Sequence, residues 1–173
     1  MTTPIYKSTI GAYLRQAESL SAIMAKGREH FEAKGMDIDA FVNESLHDDM
    51  LPFSFQIRSV AHHGDVAEVL RTGQAGPPPP LEVKDYATLE TLVTETVNKL
   101  RAVTADELDS LLNADVVFAL GEMKMPFTGL GYLTSFSLPN FYFHTTTAYN
   151  LLRQKGVEIG KRDYLGAIDL NVG

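Results

Sequence analysis

The side chains best suited to chemistry lie near the C-terminal end of the chain, in the run from Leu138 to Gly166. His144 stands there among aromatic residues, and Asn140 precedes it by four positions. Residues four apart on a helix share one face, so both side chains would point into the same pocket. An imidazole in such a pocket can bind a divalent metal ion or move a proton near neutral pH. The alternative is that His144 hydrogen-bonds a neighbouring helix and fixes the packing of the core.

Possible partners for this histidine stand around the start of the second long helix. Asp49 precedes that helix and Gln56 lies inside it. In a catalytic interpretation, Asp49 orients the ring of His144 and favours its charged form, while Asn140 donates to a developing negative charge. An acidic residue at a helix start is also favoured simply by the helix dipole, so Asp49 has an ordinary structural explanation as well.

Two adjacent histidines, His62 and His63, follow on the same helix. Consecutive helical residues point about 100° apart, so we expect at most one of them to join a site.

Hydrophobic spacing predicts four long helices to position these groups. Capping residues, Pro and Gly set their ends, and Pro139 should kink or break the last one. The predicted helices run from Pro4 to Lys34, Pro52 to Gly73, Thr88 to Ala102 and Thr128 to Lys155. Shorter predicted features are a helix beginning at Asp37, a proline linker from Gly76 to Pro80, a helix capped by Thr104 and Glu107, and a hairpin from Val116 to Met125. The tail around Lys161, Arg162 and Asp163 is expected to pair its charges with helix ends.

The predicted fold is therefore mainly all-α, an up-down four-helix bundle with a small β-hairpin before the last long helix. The 173 residues fit one domain, residues 1–173. A formal net charge of -7 argues against a nucleic-acid partner, and the lack of cysteine excludes disulfides and thiolate metal sites. We find neither a secretory leader nor an apolar run long enough to span a membrane, so a cytoplasmic location is expected.

Two segments, HDDMLPFSFQIR and LPNFYFHTTTAYNLLRQKGVEIGKRDYLG, resemble a family called domain of unknown function 1993, which is grouped with the DinB/YfiT-like four-helix proteins. The resemblance covers essentially the whole chain. It implies an antiparallel bundle that forms a homodimer. Better-known members of the group bind a divalent metal through one histidine on the second helix and a His-x-x-x-His pair on the fourth, and some resemble metal-dependent transferases that act with low-molecular-weight thiols.

The chain departs from that ligand pattern at one position. His144 matches the second histidine of the pair, but Asn140 stands where the first should be. The position on the second helix is matched by Asp49 or by His62. The resemblance thus implies His144, together with Asp49 or His62, as ligands of a zinc or nickel ion. Asparagine is a poor ligand for either metal.

Two hypotheses about function follow. In the first, the chain is a non-catalytic small-molecule-binding or scaffold homodimer, and Asp49, Gln56, Asn140 and His144 form a polar cluster inside the bundle without any required cofactor. In the second, it is a divalent-metal-dependent enzyme, similar to the thiol-dependent transferases, that uses His144 and Asp49.

Overall fold

The computed structural model of the chain describes residues 3–80, 83 and 85–170. The first half contains helices α1 (Pro4–Ser8), α2 (Ile10–Lys34), α3 (Ile38–Phe41), α4 (Phe53–Gly64) and α5 (Val66–Thr72), followed by strand β1 (Gln74–Ala75). The second half contains α6 (Tyr86–Ala102), α7 (Ala105–Leu111), strands β2 (Asp115–Leu120) and β3 (Met123–Thr128), α8 (Gly129–Gly131), a π-helical turn (Tyr132–Ser137), α9 (Leu138–Gln154) and α10 (Lys161–Leu165).

Four long helices, α2, α4, α6 and α9, enclose one hydrophobic core, and this confirms the predicted helical bundle. The apolar stripe predicted for the first helix faces inward, with Ile10, Tyr13, Ala17, Leu20, Met24 and Phe31 all buried. Among the described residues, no helix combines the length and the apolar composition needed to cross a bilayer.

The long helices do not simply alternate in direction. α4 and α6 run the same way, because Phe53 stacks on Tyr86 at their starts (ring centres 5.7 Å apart) and Asp65 accepts from Lys99 near their ends (2.5 Å). α2 opposes α6, as two ion pairs show: Glu18 with Arg101 and Arg28 with Glu90. The order of directions is therefore up, down, down, up, which the long connection containing the proline linker permits.

Two predicted helices are interrupted where the sequence pattern indicates continuity. The first breaks at Thr9 (φ -114°, ψ -89°), whose hydroxyl donates to the carbonyl of Ile5 at 2.6 Å. The second breaks at Asp65 (φ -84°, ψ 36°), which separates α4 from α5. The predicted stop at Gly73 is confirmed, since it adopts φ +68°.

Pro139 neither breaks nor ends the last helix. The six residues of the π-helical turn come immediately before α9, and Pro139 occupies the first turn of α9. A proline ring inside a regular helix clashes with the carbonyl four residues earlier, and a wider turn relieves that clash. The helix therefore continues through the proline instead of stopping at it.

The predicted hairpin is present as β2 and β3, with Gly121 at φ +58° in its turn. The sequence analysis missed β1, which is only two residues long and pairs with β2 in parallel. The predicted linker continues from β1 without helical structure over residues 76–80. Two side chains of α4 hold it: His62 donates to the carbonyl of Gly76 at 2.7 Å, and Arg58 donates to that of Pro79.

The C-terminal tail folds back onto the side of α2, and the charge of Asp163 also pairs with a helix end, the start of α10. Asp163 accepts from the backbone N–H of Gly160 at 2.7 Å and from Lys26 at 2.6 Å. Ser19 donates to the carbonyl of Tyr164 at 2.8 Å. Helix α10 thereby closes one side of the bundle.

Candidate functional site

Four polar side chains form a continuous seam between α4 and the last long helix. They are Gln56 and His63 on α4, Ser137 at the end of the π-helical turn and His144 on α9. Gln56 and His63 are seven positions apart, and so are Ser137 and His144. Seven residues make about two helical turns, so the two residues on each helix lie on one face. Because the helices run in opposite directions, Gln56 meets His144 and His63 meets Ser137. We call these four residues the polar seam.

The hydrogen bond between Gln56 and His144 fixes the ring's tautomer. The amide nitrogen of Gln56 donates to the carbonyl of Leu51 at 2.8 Å, which leaves the amide oxygen facing Nδ1 of His144, also at 2.8 Å. An amide oxygen only accepts, so Nδ1 carries the proton. The neutral ring then has its lone pair on Nε2.

His63 occupies the other half of the seam and packs on His144. The two imidazole rings are nearly parallel (16°), with centres 6.0 Å apart. The hydroxyl of Ser137 lies 3.4 Å from Nδ1 of His63 and 3.3 Å from its backbone carbonyl. The contacts join the rings and the two helices into one packed unit.

Burial keeps both rings of the seam neutral. Only 7% of His63 is exposed, and burial, with the nearby rings of His62 and His144 adding to it, lowers the pKa of His63 to about 3. His144 is half-buried, and desolvation lowers its pKa to about 4. A charged imidazole loses hydration in such a setting and here gains no carboxylate in exchange. Both histidines are therefore uncharged at neutral pH.

Aromatic side chains surround the two imidazoles. Phe55 and Phe143 meet His144 edge to face, with ring centres 5.9 Å and 5.3 Å away. Phe136 meets His63 in the same way at 6.1 Å. Tyr13 of α2 lies fully buried at the level of Phe141, in contact with its ring at 4.9 Å. This apolar environment explains why the charged form of either histidine is disfavoured.

Asp49, the predicted acidic partner, is not brought to His144. Its side chain is 84% exposed and contacts His47 at 2.6 Å in the loop before α4. The partner of His144 is instead the neutral amide of Gln56. A carboxylate at this position would raise the basicity of the ring, whereas an amide orients the ring without charging it.

Asn140 and His62 lie beside the seam but bond elsewhere. The amide nitrogen of Asn140 donates to the carbonyl of Phe136 at 2.7 Å, within its own helix. The ring of His62 donates to Gly76. Of the two adjacent histidines, His63 rather than His62 faces His144. As the 100° divergence predicts, only one of the two joins the seam. It is His63, whereas the candidate named from the sequence is His62.

The donor set does not fit the metal site that the resemblance implies. Within the described part of the chain, no three His, Cys, Asp or Glu side chains are grouped so that they could hold a metal ion. The seam offers two imidazoles, and catalytic zinc sites use three protein ligands. The third position falls to Asn140, whose amide is a weak ligand for zinc or nickel.

A groove on the outer side of α9 lies next to the seam. It runs between that helix and the loop before α4, and most of its lining is apolar. The lining residues are Leu46, Met50, Pro139, Tyr142, Phe143, Thr146, Thr147 and Asn150. Phe143 is 56% exposed, although its ring also contacts His144. The neighbouring Leu51 is 53% exposed.

Sequence reasoning missed His63 and Ser137 as members of the site. A signal for them was available in the spacing, since Gln56 and His63 repeat the seven-residue interval of Ser137 and His144. Two matched intervals on antiparallel helices predict two polar layers between them. Because the sequence predicts a kink or break at Pro139, it does not predict that Ser137 and His144 share one continuous helix face.

Comparison with known proteins agrees with this architecture. A crystal structure of a DinB family member protein from Shewanella denitrificans superposes with a TM-score of 0.77 and 24% identity, over 97% of this chain and 95% of that one. This likeness shows the fold. No curated protein matches the chain. Residues 5–165 match the family described as "Domain of unknown function (DUF1993)", and the chain belongs to that family.

Proposed function

We propose that this protein is a non-catalytic binding or scaffold protein that works as a homodimer, and that the polar seam is an internal structural network. The observation that carries the proposal is that each of the four seam side chains has a hydrogen-bond partner in the seam or in the backbone, while both imidazoles stay neutral. Buried polar groups with satisfied hydrogen bonds fix a unique packing register between helices.

The chemistry of His144 supports a structural role over an acid–base role. A general base works best when its pKa lies near the operating pH. The pKa of His144 is lowered to about 4, and its hydrogen-bond partner is an amide rather than a carboxylate. The metal-dependent enzyme hypothesis lacks its third ligand, so the seam gives it no support.

The groove beside α9 is the surface we assign to the homodimer. Phe143 and Leu51 are large apolar side chains exposed over more than half their area, next to the apolar lining of the groove. Contiguous apolar surface on a soluble protein is typical of interaction sites. Exposed aromatic side chains at the centre of an interface commonly supply most of its binding energy.

Sedimentation velocity over a concentration series tests this assignment. We expect the wild-type chain to form dimers and Phe143→Asp to raise the dimer dissociation constant by about tenfold or more, because a central aromatic side chain contributes about 2 kcal/mol. Leu120→Asp is the matched control, since Leu120 is also apolar and 51% exposed but lies on the hairpin. A monomeric wild type, or a Phe143→Asp variant that dimerises as well as Leu120→Asp, would refute the proposal.

A further inference from the structure

We infer that the polar seam is a metal site lacking one ligand, and that Asn140 is the residue that keeps it free of divalent metal. The inference rests on the proposal that the seam is a metal-free network. It goes further by naming the single position that decides between a structural pair of histidines and a zinc- or nickel-binding site.

His144 already resembles a metal ligand in one respect. His144 donates from Nδ1 to Gln56, so Nε2 keeps its lone pair. Ligating histidines are usually held in this way, with the second ring nitrogen donating to a nearby acceptor. Gln56 therefore orients His144 as an outer-shell partner would.

The spacing of the two imidazoles is also close to what one ion requires. The ring centres of His63 and His144 are 6.0 Å apart. Two imidazoles bound to one tetrahedral zinc ion have their ring centres about 5 Å apart, given bonds of about 2.0 Å. Because the rings are nearly parallel (16°), at least one of them would have to turn before both Nε2 lone pairs faced one ion. A third ligand would still be missing.

Asn140 occupies the place from which that ligand would come. It lies one turn before His144 on α9, on the same face, and its side chain is half-buried. Its amide nitrogen is engaged by the carbonyl of Phe136 at 2.7 Å. The oxygen that remains is a neutral amide acceptor, which binds zinc and nickel poorly compared with imidazole or carboxylate.

Calorimetric titration of the chelator-treated protein with zinc and nickel tests the inference. We expect no saturable binding to the wild type and one-to-one binding to Asn140→His. Losing even an outer-shell partner costs about 10- to 100-fold in metal affinity, so adding a ligand should raise the affinity by about 100-fold. Asn140→Asp, a change of nearly equal volume, provides a second test through a carboxylate ligand if the histidine variant does not fold.

Two further variants assign the binding to the seam. Adding His63→Ala to whichever Asn140 variant folds should abolish its gain in zinc and nickel affinity. Adding His47→Ala, a change in the exposed loop, should leave that gain intact. One-to-one binding by the wild type that His63→Ala removes would overturn both the inference and the metal-free network proposed above. A metal-free wild type, together with folded Asn140→His or Asn140→Asp that gains no affinity, would overturn the inference alone.

Discussion

At the scale of single residues, the hydrogen bond from His144 to Gln56 joins α9 to α4 inside the bundle. Removing the ring by His144→Ala leaves the amide oxygen of Gln56 without its partner inside the bundle. An unpaired buried polar group costs about 1 to 3 kcal/mol. We expect His144→Ala to lower the free energy of unfolding by that amount in urea denaturation. His47→Ala, in the exposed loop, should change it by less than about 0.5 kcal/mol. Equal stability of the two variants would contradict a structural seam.

The pH dependence of stability is a second consequence at this scale. An unfolded histidine takes up a proton near pH 6.5, but the folded chain keeps His63 neutral down to about pH 3 and His144 down to about pH 4. Binding of protons therefore favours the unfolded state. The contribution of these two rings to the free energy of unfolding is complete above pH 6.5 and is lost as the pH falls toward 3.

This loss can be measured by urea denaturation at a series of pH values. Below the unfolded pKa, one buried imidazole costs up to about 1.4 kcal/mol per pH unit. We expect His63→Gln to reduce the acid slope by about this amount. Identical slopes for wild type and His63→Gln would show that His63 is protonated equally in both states.

At the scale of elements, the close approach of α4 and α6 depends on Gly64. A Cβ atom at this position would lie 2.3 Å from Cγ2 of Thr96, which is too close for any two carbon atoms. Gly64→Ala should destabilise the fold by about 1 to 3 kcal/mol despite the better helix propensity of alanine. Thr96→Ser removes the clashing methyl group while keeping the hydroxyl that donates to Leu92. We expect the double variant to recover most of the loss in thermal denaturation, and a double variant as unstable as Gly64→Ala would place the strain elsewhere.

The sequence predicts most elements but not their interruptions. The apolar stripe of α2, the helix start at Asp37 and the stop at Gly73 all follow from local rules, and the structure confirms them. The break at Asp65 does not follow from such rules. It sits where α4 meets α6, and packing between helices is not encoded in the sequence of one helix.

At the scale of the whole molecule, the bundle could be predicted because hydrophobic periodicity over long segments is a strong signal, and the match to the family agrees with it. Which polar residues meet inside the bundle could only be predicted in part. His144 and Gln56 were both identified, but their pairing depends on the relative shift of α4 and α9. The sequence favours Asp49 or His62 as the group on the second helix because residue type is visible in a sequence, whereas the exposure of the loop that carries Asp49 is not.

The central claim is that His63 and His144 are neutral members of one internal network. Nitrogen-15 NMR of the histidine side chains over a pH series tests it most directly, because ring nitrogen shifts report both charge and tautomer. The account predicts that both rings stay uncharged from pH 7.5 to about pH 5 and that His144 carries its proton on Nδ1. A His144 ring that titrates near pH 6.5, or that carries its proton on Nε2, would contradict it.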